Sequence, residues 1–351
     1  MTGTRAEFGL LAPVMRAIEA RPSLTLRVVA AGMHLAAGSE SDITDAGFSV
    51  DARVPMQQPG ATGRAADVGA LGRGVSGFGE AMAKLDPDVV LVLGDRIEAL
   101  AAGLAASVGG FRLAHIHGGD RAEGVADEAM RHAISKLAHL HFPATAESRD
   151  RLIRLGEDER RVFCVGSPAA DALDGVESAA DAPELIVMQH PIGAEPEQER
   201  TWMAATLAAT ANRDRLVLMP NHDPGREGIV AAIEAADAPV ADHLPRPRFL
   251  GLLKGARAIV GNSSAGLIEA AVLGTPCVSI GPRQGGRERP AGVIDADYGE
   301  KSVREAVAAA LELDTANLTH PYGDGHAGER IASLLAELDL AAAPLRKRNS
   351  Y

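Results

Sequence analysis

Short apolar runs alternate with longer amphipathic segments from one end of this chain to the other, and that rhythm restricts its fold more than any other feature. Two parallel strands cannot be joined by a tight turn. They need a crossover of about a dozen residues or more, usually a helix, so the pattern specifies an α/β class with parallel sheets. In the first half LTLRVVAA (24–31), DVVLVLG (88–94), FRLAHIH (111–117) and RVFCVG (161–166) read as strands, with helices at 9–20, 69–84, 97–108, 125–140 and 146–155. In the second half LIVMQH (185–190), RLVLMP (215–220), ARAIVG (256–261) and PCVSIG (276–281) read as strands, with helices at 196–211, 225–236, 247–255, 265–273 and 302–313. The first-half strands end in, or run directly into, Gly, His or Asp, and open α/β sheets collect ligands at the carboxyl ends of their strands.

The 351 residues exceed the roughly 100–200 of one domain, so two are expected. The small, acidic, aperiodic stretch 172–184 reads as a linker between a first domain (1–171) and a second (185–325), and an amphipathic helix within 326–351 is expected to pack back on the first. Aromatics at 3% favour helices on sheets over an aromatic-rich sandwich. A formal charge of -12 repels polyanions, which argues against nucleic acid as a partner. No run approaches the ~18 apolar residues of a membrane span, and the N-terminus lacks a signal-peptide layout, so a cytoplasmic protein is expected. Cys164 and Cys277 lie in apolar runs and read as inert core thiols. The opening MTGTRAEFG is a loop and helix start without the strand a βα loop requires, so the native start is expected upstream of Met1.

The most specific chemical signal is a strand followed by Gly261-Asn262-Ser263-Ser264 and a helix carrying Glu269. A tight glycine turn, hydroxyls and a helix N-terminus suit a phosphate, and the carboxylate suits a ribose diol. Alternatively, Asn262 and Ser263 are helix caps. The next strand ends in a loop with Arg283, Arg287 and Arg289, whose planar forks match diphosphate oxygens. Arg5 follows Gly3-Thr4 at another helix start. In the first domain Asp95 ends a strand, followed by Glu98; His115, His117 and Asp120 end another, followed by Glu123, Asp127 and Glu128. Crowded carboxylates raise one another's pKa, which suits proton transfer, although acids at a helix start also complement its dipole. His115 and His117 share a strand face, but no third His or Cys lies nearby and no metal is expected. His190, Asn221 and Asp223 follow strands of the second half; Asx-Pro-Gly at 223–225 is also a common turn.

Taken together, TGTRAEFG, GDRIEAL, HIHGGD, RVFCVGSPAAD, MPNHDPG, VGNSSAGLIEAAVLGTP and SIGPRQGGRER resemble, in order, the hydrolysing UDP-N-acetylglucosamine 2-epimerases of sialic and legionaminic acid biosynthesis. The resemblance implies a GT-B fold, two Rossmann-like domains with parallel sheets flanking a central cleft. It implies conversion of UDP-GlcNAc, or a related UDP- or GDP-linked 2-acetamido sugar, to a free N-acetylmannosamine-type sugar and nucleoside diphosphate, without a cofactor. The route it implies is anti elimination across C1–C2 followed by hydration. It assigns Asp95, Asp127 and His190 to catalysis, and Arg5, Ser263, Ser264, Glu269 and Arg283 to the nucleotide. Asn221, Asp223, Gly261, Asn262 and Arg287 complete the expected binding set. Two departures stand out, His117 and Asp120 where some members carry Glu, so either of these, or Glu123, takes that acid–base role. A homodimer or higher homo-oligomer is expected. The alternatives are a non-hydrolysing 2-epimerase, a GT-B glycosyltransferase and a non-catalytic nucleotide-sugar-binding protein.

Overall fold

The computed structural model describes the chain except residues 59, 62, 122–126, 172, 174, 222, 243, 340–344, 349 and 351, and describes the backbone alone at Arg64 and Asp127. Two compact units emerge. The first comprises Met1–Asp120, Ala126–Ala172 and Gly323–Tyr351; the second comprises Arg121–Val125 and Leu173–Tyr322.

In the first unit, β1 (Val29–Ala31) pairs in parallel with β2 (Ala52–Val54), and β3 (Val89–Leu93), β4 (Arg112–Ile116) and β5 (Leu140–Phe142) form a parallel sheet in that order. Thr2 bridges Ala30 in parallel and the Met1 amine donates to Leu91 O at 3.0 Å, so the first two residues run between the two sheets. Side chains of β3 alternate between two cores, Val90 and Val92 facing one and Leu91 and Leu93 the other. Burial on both faces is what a parallel sheet covered by helices requires. One core is closed by helices Arg64–Leu85 and Ile97–Gly109, the other by Arg5–Glu19 and Ala327–Ala336. Asp171 caps the last of these, accepting Ala327 N–H at 2.9 Å and Gly328 N–H at 2.5 Å. Ile331, fully buried there, contributes about 2 kcal/mol to docking the helix.

The second unit is one six-stranded parallel sheet, β6 (Leu185–Met188), β7 (Arg215–Leu218), β8 (Val240–Ala241), β9 (Ala258–Gly261), β10 (Cys277–Ile280) and β11 (Val293–Ala296), in spatial order β11-β10-β9-β6-β7-β8. Helices Pro196–Ala209, Arg226–Glu234 and Glu300–Glu312 lie on the same face of this sheet, the one presented by Leu185, Val187, Val217, Val260 and Val278. The stretch read as a linker docks on this unit, Ala179 N–H donating to Gly251 O at 2.9 Å.

Several sequence expectations are corrected. The strand expected at 24–31 is ordered as strand only at Val29–Ala31. At 161–166 there is a 3₁₀ turn, Glu159–Arg161, and a single bridge from Val162 to His141; Cys164 is exposed, while Cys277 is buried and its thiol is pushed up to about 12 by burial. The helix expected through 140 stops at Leu137, and β5 takes the following residues. That strand is three residues long, too few for a period to betray it. The helix expected at 265–273 is two pieces, Ser264–Leu267 and Glu269–Leu273, joined at Ile268.

Candidate active site

In the first unit the side chains that follow β3 and β4 converge on one buried cation. Arg131, 2% exposed on helix Asp127–Leu137, ion-pairs with Asp95 and with Glu128 at 2.9 Å, and donates to Asp120 O at 3.2 Å. Burying a guanidinium costs several kcal/mol unless its donors are met, so these partners specify its position and, through it, that of Asp95. Sequence reasoning passed over Arg131; the signal was a lone cation among acids at the start of a helix.

His117 sits where β4 ends, at φ 61°, a conformation in which a non-glycine residue is uncommon. Its Nδ1 lies 2.8 Å from Asp120 Oδ2 and its Nε2 2.9 Å from Ser167 Oγ. A carboxylate accepts only, so Nδ1–H donates to Asp120 and Nε2 accepts from Ser167. Ser148 Oγ donates to the other carboxylate oxygen at 2.9 Å. Both glycines after His117 are dictated by space; at Gly119, φ 81°, a Cβ would lie 2.3 Å from Ser148 O. Ser167 is fully buried, which keeps it from meeting a substrate.

His115 does not share this network. It is wholly buried, Nε2 2.7 Å from Gly94 O and Nδ1 3.0 Å from Ser135 Oγ, and burial pushes it down to about 3. The two histidines therefore do not form a pair, and among the described residues no group of three or more His, Cys, Asp and Glu is arranged to hold a metal. The Asp127 side chain and Glu123 lie outside the described residues.

At the start of helix Arg5–Glu19, Thr4 Oγ1 accepts Glu7 N–H at 3.2 Å and Glu7 reaches back to Gly3 N–H at 2.6 Å, a capping box. This helix thus meets one of its own donors and that of Gly3 before its cap, and Arg5 ion-pairs with Asp42. Burial raises Glu7 to about 7, its neighbour Glu98 adding to the effect. A raised folded pKa means stability that is full below the unfolded value of 4.5 and lost as pH climbs through about 7. Glu7→Gln is therefore expected to match the wild type at pH 5 and exceed it by on the order of 2 kcal/mol at pH 8. Urea unfolding at both pH values checks this; equal stabilities at pH 8 would refute it.

In the second unit, His190 follows β6 and is held by two neighbours. Asn262 Oδ1 accepts its backbone N–H at 2.7 Å and Asn262 Nδ2 donates to its carbonyl at 2.8 Å, while Nδ1 of the ring accepts Asn221 N–H at 3.2 Å. The ring proton is thereby placed on Nε2. Burial, then Arg283, pushes His190 down to about 3, so it is a neutral donor at neutral pH. Glu199, unremarked in the sequence, accepts Ile192 N–H at 2.8 Å and Ala194 N–H at 3.2 Å and pins the loop beyond His190. Asn221 Nδ2 donates to Asp223.

The glycine turn after β9 divides its residues between structure and chemistry. Gly261, at φ 145°, has no room for a side chain: a Cβ would lie 2.0 Å from Met188 O. Asn262, 1% exposed, spends its amide on His190, and its carbonyl accepts Arg283 Nη1 at 3.1 Å and Gln284 Nε2 at 2.9 Å. Ser263 caps the short helix, accepting Ala265 N–H at 3.3 Å, and keeps its own proton to donate. Ser264 opens that helix. Glu269 faces Arg246 at 3.4 Å, a second cation that the sequence reading missed. Of the three arginines after β10, Arg289 bonds Asp295 at 3.1 Å and Gln284 O at 2.9 Å, and Arg283 bonds Asn262 O.

A UDP-N,N'-diacetylbacillosamine 2-epimerase (hydrolyzing) of Legionella pneumophila is 35% identical over 100% of this chain and 98% of its own length. A UDP-N-acetylglucosamine 2-epimerase of Neisseria meningitidis is 31% identical over 89% and 87%. The crystal structure of the Neisseria meningitidis UDP-GlcNAc 2-epimerase bound to UDP-GlcNAc superposes with a TM-score of 0.83, at 20% identity over 96% of this chain and 98% of that one, which shows the shared GT-B-like α/β fold. Residues 16–336 match the family described as UDP-N-acetylglucosamine 2-epimerase, and the chain belongs to that family.

Proposed function

We propose that this protein is a hydrolysing 2-epimerase, releasing a free 2-epimerised 2-acetamido sugar and a nucleoside diphosphate from a UDP-linked substrate. Family membership supports the coarser statement, epimerisation of a nucleotide-linked 2-acetamido sugar. The hydrolytic outcome is favoured by the full-length Legionella relative, whose name carries that activity on a 2,4-diacetamido sugar. The observation that carries the acid–base assignment is the linked set Asp95–Arg131–Asp120–His117 at the ends of β3 and β4.

Elimination requires a base for the C2 proton and stabilisation of the departing diphosphate; hydration requires an acid that returns a proton to C2 from the other face. Asp95, kept in place by Arg131, is one member of the acid–base pair. Asp120, which accepts from His117 Nδ1–H and Ser148 Oγ, takes the other role, and Ser167 keeps the His117 ring in the tautomer that orients it. Asp127 is a further candidate by resemblance. Neutral His190 donates from Nε2 to an oxygen that gains charge, and Ser263, Ser264, Arg283 and Arg287 hold the diphosphate while Glu269 receives the ribose hydroxyls. Asn262, Asn221 and Gly261 act through His190 and the backbone. UDP-GlcNAc and a UDP-2,4-diacetamido-trideoxyhexose are both within this reading.

Incubation with each sugar nucleotide in deuterated water, followed by proton NMR, tests it. Free 2-epimerised sugar carrying deuterium at C2, with free UDP in equal amount, is expected. Recovery of only UDP-linked epimer would replace hydrolysis by the non-hydrolysing reaction, and transfer that waits for an added acceptor would indicate a glycosyltransferase.

A further inference from the structure

The first unit carries a second concave surface, at the end of its sheet opposite to Asp95 and His117. β4 and β5 are parallel, and His139, immediately before β5, receives Leu113 N–H on Nδ1 at 3.1 Å near the start of β4. Its Nε2 donates to Leu345 O at 3.0 Å, tying a late segment of the chain to this edge. A cavity of about 540 Å³ lies there, within the usual ligand-pocket range of roughly 300–1,000 Å³.

Two basic runs far apart in sequence form its wall, Arg160-Arg161 and Arg346-Lys347-Arg348. In a chain of net charge -12 this concentration of cations needs a reason. Lys347 supplies part of it. Its ammonium donates to Ser135 O at 3.0 Å and Lys136 O at 2.9 Å, the carbonyl end of helix Asp127–Leu137, and ion-pairs with buried Glu157. Glu157 is shared with Lys136 at 2.8 Å and His141 at 3.0 Å, so its charge is balanced inside the wall. Asp158 is likewise taken by Arg160, at 3.0 and 2.8 Å. With Lys347 anchored, the exposed side chains on either side of it, Arg346 and Arg348, are presented at the cavity, which Asp339 also lines, and no ion pair holds either arginine among the described residues. Leu140, Phe163 and Leu338 add apolar lining.

We propose that this cavity binds a phosphate-bearing small molecule, Arg346 and Arg348 holding the phosphoryl oxygens and Phe163 and Leu338 contacting its body. Guanidinium groups suit phosphate, and a concave wall favours a small ligand over an extended polyanion, which the net charge repels. The inference is independent of the reaction proposed above.

Calorimetric titration of the full chain at low salt, with inorganic phosphate and with phenyl phosphate as probes, tests it. Saturable binding of both is expected, phenyl phosphate the tighter. The double variant Arg346→Ala/Arg348→Ala should weaken both at least tenfold, and Arg283→Ala, which alters the other candidate phosphate site, should leave them within twofold. Three results would overturn the proposal: no saturable binding to the wild type, full binding by the double variant, or phenyl phosphate binding no tighter than inorganic phosphate.

Discussion

Asp95→Asn is expected to lower turnover by about three orders of magnitude while affinity for UDP stays within about twofold. The substitution keeps the size of the side chain and its acceptor oxygen toward Arg131 but removes the capacity to take or return a proton. UDP is gripped, in the proposed reading, by residues of the second unit, so its affinity should not feel the change. Steady-state rates from UDP release, set beside calorimetric UDP titration, separate the two effects. A parallel loss of UDP affinity would mean that Asp95 holds the nucleotide, and unchanged turnover would remove it from the chemistry.

Arg131→Leu is expected to be the most damaging single change to the first unit, costing about 3–5 kcal/mol of stability and abolishing activity. The leucine fills most of the volume, but Asp95 and Glu128 would then face each other without their shared cation, and Asp120 O would lose a donor. Two carboxylates left in this way raise each other's pKa, so the deficit should shrink as pH falls and they protonate. Urea unfolding at pH 7 and pH 5 measures both the size and the pH dependence. A cost below about 1 kcal/mol at pH 7 would show that the ion pairs are not what holds this site.

Much of the molecule was legible before any coordinates. The alternation of apolar runs with amphipathic segments specifies parallel sheets wrapped by helices, because only a crossover connection joins parallel strands and both sheet faces must be covered. Strand ends pointed to Asp95, His117, His190 and the 261–264 turn, since side chains there are presented clear of the sheet. What escaped was whatever depended on partners distant in sequence. Arg131 looked like one more helical cation until its contacts with Asp95 and Asp120 were seen. Asn262 had two readings, cap or phosphate ligand, and the structure gives its amide to the backbone of His190, 72 residues away. β5 was hidden because three residues, Leu140–Phe142, are too few to show a period.

The sequence by itself determined the class of fold, the neighbourhood of each candidate site and the chemistry available there, because periodicity, glycine placement and side-chain type act locally. Only the tertiary structure decided which groups are free for chemistry and which are consumed in holding others. Ser167 against His117 and Glu157 among Lys136, His141 and Lys347 are pairings across the fold. The physical reason is that a buried polar group must find a partner, and folding brings that partner from anywhere in the chain.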